Sequence, residues 1–197
     1  MAVTLHLAQQ ADADELLSRS PLALLVGMLL DQQVPMETAF RGPWVVAERL
    51  GVADLDAQRI AGYDEEEFAA LFARKPAVHR YPGAMAKRTQ QLCRYLVAEY
   101  GGEAEAVWRG AGSGAELLRR VGALPGFGEQ KARIFVALLG KQLGVRPEGW
   151  REAAGPYGED GCHRSVADIR DAATLSEVRA DKQQAKAAAK AAKAGQG

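Results

Sequence analysis

"LPGFGEQKA" occupies residues 124–132, between two segments whose apolar residues recur at helical spacing. Leu117, Val121 and Leu124 form one stripe before the bend, and Ala132, Val136, Leu139 and Leu143 form another after it. Two helices joined by a proline and two glycines, with one apolar residue between the glycines, read as a helix-hairpin-helix. Gly126 and Gly128 are expected to supply backbone angles closed to other residues and to let another backbone come near. Phe127 is expected to turn inward and fix the bend to the core, while Pro125 sets its own φ and removes a donor. The amides of residues 126–131 then lie at the start of the second helix, where unpaired N–H groups and the helix dipole favour an anion. Lys131 adds a cation in the same turn. On a long polyanion that anion is a backbone phosphate, so the bend reads as a sequence-independent grip on nucleic acid. The plainer alternative is an αα-corner whose glycines serve packing alone.

The residues around the bend agree with an all-α fold, since no stretch alternates with period two. "SPLALLVGMLLDQQ" (residues 20–33) has Ser20 as N-cap and Pro21 at the first helical position. Its run is apolar nearly all round, which predicts a buried central helix. Residues 34–51 are expected to break at Gly42-Pro43, with Pro43 opening a second helix that Gly51 ends. A short helix is expected over 63–73, and a longer one over 82–100, with Met85, Thr89, Leu92 and Leu96 on its inner stripe and Gly101-Gly102 as its stop. Another short helix is expected over 103–109, followed by a linker at 111–114. Glycines, prolines and charges cluster over 144–161, which predicts a loop, and a helix is expected to resume over 164–178. The end, residues 179–197, has high helix propensity and little to bury. It is expected to be a solvated basic tail, with contact to DNA phosphate as the alternative.

The chain has 197 residues, 48% of them apolar, enough for one substantial core or a core parted by a cleft. Its 25 basic and 25 acidic residues cancel, which argues against coating nucleic acid by bulk charge but leaves room for a local basic face. No secretory pattern is read at the start and no run suits a membrane span. Two cysteines, Cys93 and Cys162, are too few for a disulfide framework. A cytoplasmic, nucleoid-associated monomer is expected.

"LLVGMLLDQQV", "YPGAMAKRTQQLCRYL" and "LPGFGEQKARIFVALL" together resemble the HhH-GPD superfamily of DNA glycosylases in base excision repair, in particular its small bacterial members. The resemblance spans roughly residues 20–143. It implies two helical lobes flanking a cleft: a continuous lobe over 20–143 ending in the hairpin, and a second lobe built from 1–19 and 144–178. It also implies that the carbonyls of Gly122, Leu124 and Phe127 hold a monovalent cation, Na+ or K+, beside a DNA phosphate; clustered carbonyls suit a hard cation. No other cofactor is expected. The cysteine loop of iron–sulfur relatives is absent, and Cys162-His163 alone falls short of a zinc site.

Glycosidic cleavage passes through an oxocarbenium-like sugar that a carboxylate beneath it stabilises. The resemblance places that acid after the hairpin, and "RSVADI" makes Asp168 the candidate, with Asp171 in reserve and Asp160 at a loop tip. The interval from the hairpin is longer than the family's, and the threonine-histidine that follows the acid in one branch is missing. Gln130 stands where the bifunctional branch carries a Schiff-base lysine, and Lys131 points about 100° away around the helix. A monofunctional enzyme without lyase activity is therefore expected. Base extrusion leaves a gap to be filled; the resemblance gives that role to Gln33, with Gln32 beside it. Trp44, Tyr63, Phe40 and Tyr81 are candidates for stacking on the extruded base. The expected partner is duplex DNA carrying a damaged or modified base. The alternatives are a non-catalytic lesion-sensing module and an interaction protein with an incidental hairpin.

Overall fold

Ser20 ends one helix and begins the next. Its amide closes α1 (Ala11–Arg19) on the Leu16 carbonyl at 2.9 Å, while its hydroxyl accepts from the Ala23 amide at 3.2 Å to open α2 (Pro21–Leu30). Pro21 fills the first helical position, where its missing N–H costs nothing. A computed structural model describes residues 4–194, all of whose regular elements are helical. Every residue of α2 after Pro21 is buried, which makes it the central helix that the all-round apolar sequence predicts.

α3 (Met36–Leu50) runs through Gly42-Pro43 without breaking, contrary to the sequence expectation. Packing decides the difference. A Cβ on Gly42 would fall 2.5 Å from Leu30 Cδ1, so the glycine lets α3 lie close on α2, and the burial offsets the hydrogen bond that Pro43 forfeits. Gly51, at φ +66, ends the helix as expected. Asp56 caps α4 (Ala57–Ala61), and Asp64 caps α5 (Glu65–Ala73) by accepting from the amides of Glu66 and Glu67. Both helices pack on α6 (Pro82–Tyr100), whose Met85, Thr89, Leu92 and Leu96 are buried and whose Lys87, Arg88 and Arg94 are exposed.

A 3-10 turn (Ala104–Val107) leads to Ser113, the cap of α7 (Gly114–Gly122), and α8 (Glu129–Gln142) follows the bend. Residues 144–161, expected as a loop, contain α9 (Trp150–Ala154) and a 3-10 turn (Gly155–Gly158). Their composition favours a loop, but Trp150 and Ala154 bury themselves against α7 and α8, and that burial holds the segment helical. The expected helix over 164–178 is also divided. Ser165 and Asp168 form a capping box around a 3-10 turn (Val166–Asp168), the chain extends at Ile169, and α10 (Ala172–Ala194) begins anew.

The buried apolar residues form one continuous cluster from Leu5 to Val178. α1 packs on α2 and α3, and α9 with both later 3-10 turns packs on α8, so the segments expected to make up the second lobe are seated on the 20–143 segment. α10 is rooted by Leu175 and Val178, and beyond them, as far as Ala192, its residues are exposed apart from the half-buried Asp181; the expected tail is described only as far as residue 194. No helix among the described residues is long and apolar enough to cross a membrane.

Candidate nucleic-acid interface and cleft

The bend between α7 and α8 is built around one glycine rather than two. Gly126 has φ +85, and a Cβ there would lie 2.4 Å from Leu29 Cδ1, so the bend is pressed onto the end of α2. Phe127 turns inward as expected, 4% exposed and edge-on to Phe135 at 5.9 Å between ring centres. Gly128 departs from expectation: its φ of −69 suits any residue. It is the N-cap of α8, and nothing lies within 4 Å of the position a Cβ would take. The surface beside the first amides of α8 is therefore open to an incoming backbone. Of the three carbonyls considered for a cation, that of Leu124 already accepts the Phe127 amide at 3.0 Å.

Lys131 turns from the bend toward α2, and its Nζ donates to the carbonyls of Met28 and Leu29 at 2.7 and 3.0 Å. It thus adds a second donor to two carbonyls at the end of α2, which also accept from the Gln32 side chain and the Asp31 amide. Burial pushes its amine down to about 8, the negative charge of Asp31 opposing the shift. Immediately after α2, Gln32 is fixed on three sides. Its Nε2 donates to the Leu29 carbonyl, its Oε1 accepts from Arg88, and its own carbonyl accepts from His79 Nε2 at 2.9 Å. Gln33, by contrast, is exposed and held at φ +57, a left-handed conformation unfavourable for a side chain of its type. Gln9, at φ +55, shares this backbone conformation, but of the two only Gln33 lines the cleft.

The end of α2, the start of α8, Tyr157 and the first half of α10 enclose a cleft of about 1000 Å³. Asp31, Gln33, Gln130, Lys131, Tyr157 and Lys182 are among its lining residues. The Asp31 carboxylate makes no side-chain hydrogen bond among the described residues. Burial raises its carboxyl above the ordinary aspartate range, with Lys182 and Lys131 pulling it back down and Glu37 adding to the rise. Gln130 donates to the Tyr157 hydroxyl at 2.9 Å, which fixes one wall. Arg164 and Arg179 add positive charge at the edge, Arg179 being paired with Glu37.

Asp168 does not line this cleft. Its Oδ1 lies 2.6 Å from Lys141 Nζ, and its Oδ2 accepts from the amides of Arg164 and Ser165 at 3.0 and 3.2 Å. Cys162 Sγ completes the surroundings, 3.3 Å from Lys141 Nζ. Asp171 is exposed and caps α10 by accepting from the Thr174 amide, which holds its carboxyl below the usual range. Asp160 is an exposed partner of Arg151. Of the stacking candidates, Phe40 is fully buried, Tyr63 packs on Phe68, and neither Trp44 nor Tyr81 reaches the cleft. Cys162 and His163 point to different partners, His163 to Glu177 at 3.0 Å.

Two cleft residues were missed in the sequence. Tyr157 lies in a segment whose composition reads as a loop. Asp31 carried a weak signal, being the carboxylate that ends an apolar helix just before Gln32-Gln33. Fold and cleft together define an all-helical protein in which Gln33, one of two glutamines held at positive φ among the described residues, and Asp31, a half-buried carboxylate, line one cleft beside a glycine bend. Compared with known proteins, the chain matches no family model, no curated protein and no solved structure.

Proposed function

We propose that the protein is a monofunctional DNA glycosylase that excises a damaged or modified base from duplex DNA. The observation that carries this reading is the cleft, where an unpartnered carboxylate lies among cations beside the open start of α8. In this reading the amides following Gly128 hold a backbone phosphate, and a monovalent cation at the carbonyls of Gly122, Leu124 and Phe127 adds charge there. Gln33 fills the gap in the duplex, and the nucleotide swings into the cleft, where Tyr157 is the aromatic surface within reach.

The carboxylate role passes from Asp168 to Asp31. Both oxygens of Asp168 are engaged, whereas Asp31 lines the cleft. The C1′–N bond breaks with its electron pair leaving on the base, and Asp31 stabilises the positive charge on the sugar. Water adds its oxygen to C1′ and gives a proton to Asp31, which returns it to the departing base through solvent. Gln130 has no amine, so no imine forms at its position.

Incubation with oligonucleotides carrying deaminated, oxidised, alkylated and mismatched bases tests the reading, with released base detected by mass spectrometry. Release by the wild type that disappears in Asp31→Asn, at unchanged DNA affinity, is the expected result. DNA binding without release across the panel makes the protein a lesion-sensing module instead.

A further inference from the structure

We infer that the outer half of α10 is an arm that lies along the phosphates of duplex DNA next to the cleft. The inference rests on the DNA-binding reading above and extends it to a second surface. Lys182, Lys186 and Lys190 recur every four residues, so each is turned only about 40° from the last and lies about 6 Å further along the axis. All three are exposed, and they make one cationic stripe on one face of the helix. The stripe begins at the cleft: Lys182 lines it and rests its Nζ on Met36 Sδ.

The composition of this segment leaves charge as its one means of recognition. No acidic residue follows Asp181, and four of the eight lysines of a chain with no net charge lie within residues 182–193. The remaining residues to Ala192 are alanine and glutamine and are exposed, so the helix has no broad apolar face to offer a protein or a lipid tail. A row of ammonium groups about 6 Å apart suits a polyanion with regularly spaced charge. One DNA strand advances about 3.4 Å per phosphate, so successive lysines meet roughly every second phosphate. α10 is tied to α3 through Arg179 and Glu37, and the first lysine of the stripe lines the cleft, so the stripe continues along the helix from the place where the nucleotide would enter.

The experiment measures duplex affinity by fluorescence anisotropy across a salt series for the wild type, Lys186→Ala/Lys190→Ala and Lys186→Arg/Lys190→Arg. Each lysine that neutralises a phosphate contributes about 0.9 to the slope of log K against log salt. The alanine pair is therefore expected to make the slope shallower by about 1.8, and the arginine pair to keep the wild-type slope. Binding by the wild type with an unchanged slope in the alanine pair overturns the arm while leaving the glycine-bend interface standing. No binding by the wild type at any salt concentration removes the DNA reading and the arm together. Binding to phosphatidylglycerol vesicles that the alanine pair abolishes, with the DNA slope unaltered, assigns the stripe to a membrane and also overturns the inference.

Discussion

Lys141 Nζ and Asp168 Oδ1 lie 2.6 Å apart with 7% and 5% of their side chains exposed, which locks the start of the C-terminal segment onto α8. Breaking such a pair leaves a buried charge without a partner. Asp168→Asn is expected to destabilise the fold by about 3 to 5 kcal/mol in denaturant titrations, part of it through the capping box with Ser165. The fraction that remains folded should still excise. Loss of excision in a fully stable Asp168→Asn protein would return the catalytic role to Asp168.

Asp31 has the opposite character. Its carboxyl is raised by burial, so the folded chain holds that proton more tightly than the unfolded one. Stability is therefore lost as pH rises from near 3.8 through the raised value, and the deficit persists at neutral pH. Asp31→Asn is expected to melt at a higher temperature than the wild type at pH 7 while losing excision by about 100-fold or more. A lower melting temperature would mean that the carboxylate serves the fold.

Lys131 gives a signal in alkali. Its amine titrates near 8 in the folded state against 10.5 in the free side chain, so the unfolded chain binds more protons between those values. This group makes stability rise with pH across that window, and Lys131→Met should remove the rise. A neutral amine still donates to the Met28 and Leu29 carbonyls, so the end of α2 stays closed. Held in this way, Lys131 is expected to give no borohydride-trapped adduct with DNA, and the strand should stay intact until alkali is added.

The two glycines of the bend should separate folding from binding. Gly126→Ala meets both a positive φ and Leu29, and is expected to cost about 1 to 3 kcal/mol. Gly128→Val faces open space with an ordinary φ, so its cost should stay below about 1 kcal/mol. DNA affinity should nevertheless fall in Gly128→Val, because the methyls stand where a phosphate backbone would pass. Equal affinity for the variant and the wild type places DNA elsewhere.

Gln33→Gly relieves the left-handed strain and is expected to stabilise the fold by up to about 1 kcal/mol. If Gln33 fills the gap in the duplex, the same change lowers excision from double-stranded substrate far more than from single-stranded substrate. Equal losses on both would limit Gln33 to shaping the cleft wall.

The sequence by itself determined what local chemistry controls. Ser20-Pro21 set the boundary of α2, Pro82 and Gly101 bounded α6, and the apolar stripes around residues 124–132 placed two helices and an inward Phe127. Caps, φ restrictions and periodic apolar spacing act within a few residues, so they are legible in one dimension. Tertiary structure alone decided which polar groups are free. Asp168 and Asp31 are the same residue type at helical boundaries, yet one meets Lys141 from α8 and the other faces an open cleft. Likewise Gln32 is held by His79 and Arg88, distant in the chain, while its neighbour Gln33 is left strained and exposed. Partners brought together across tens of residues set the burial and charge around each group. That environment, rather than residue type, fixes its chemistry.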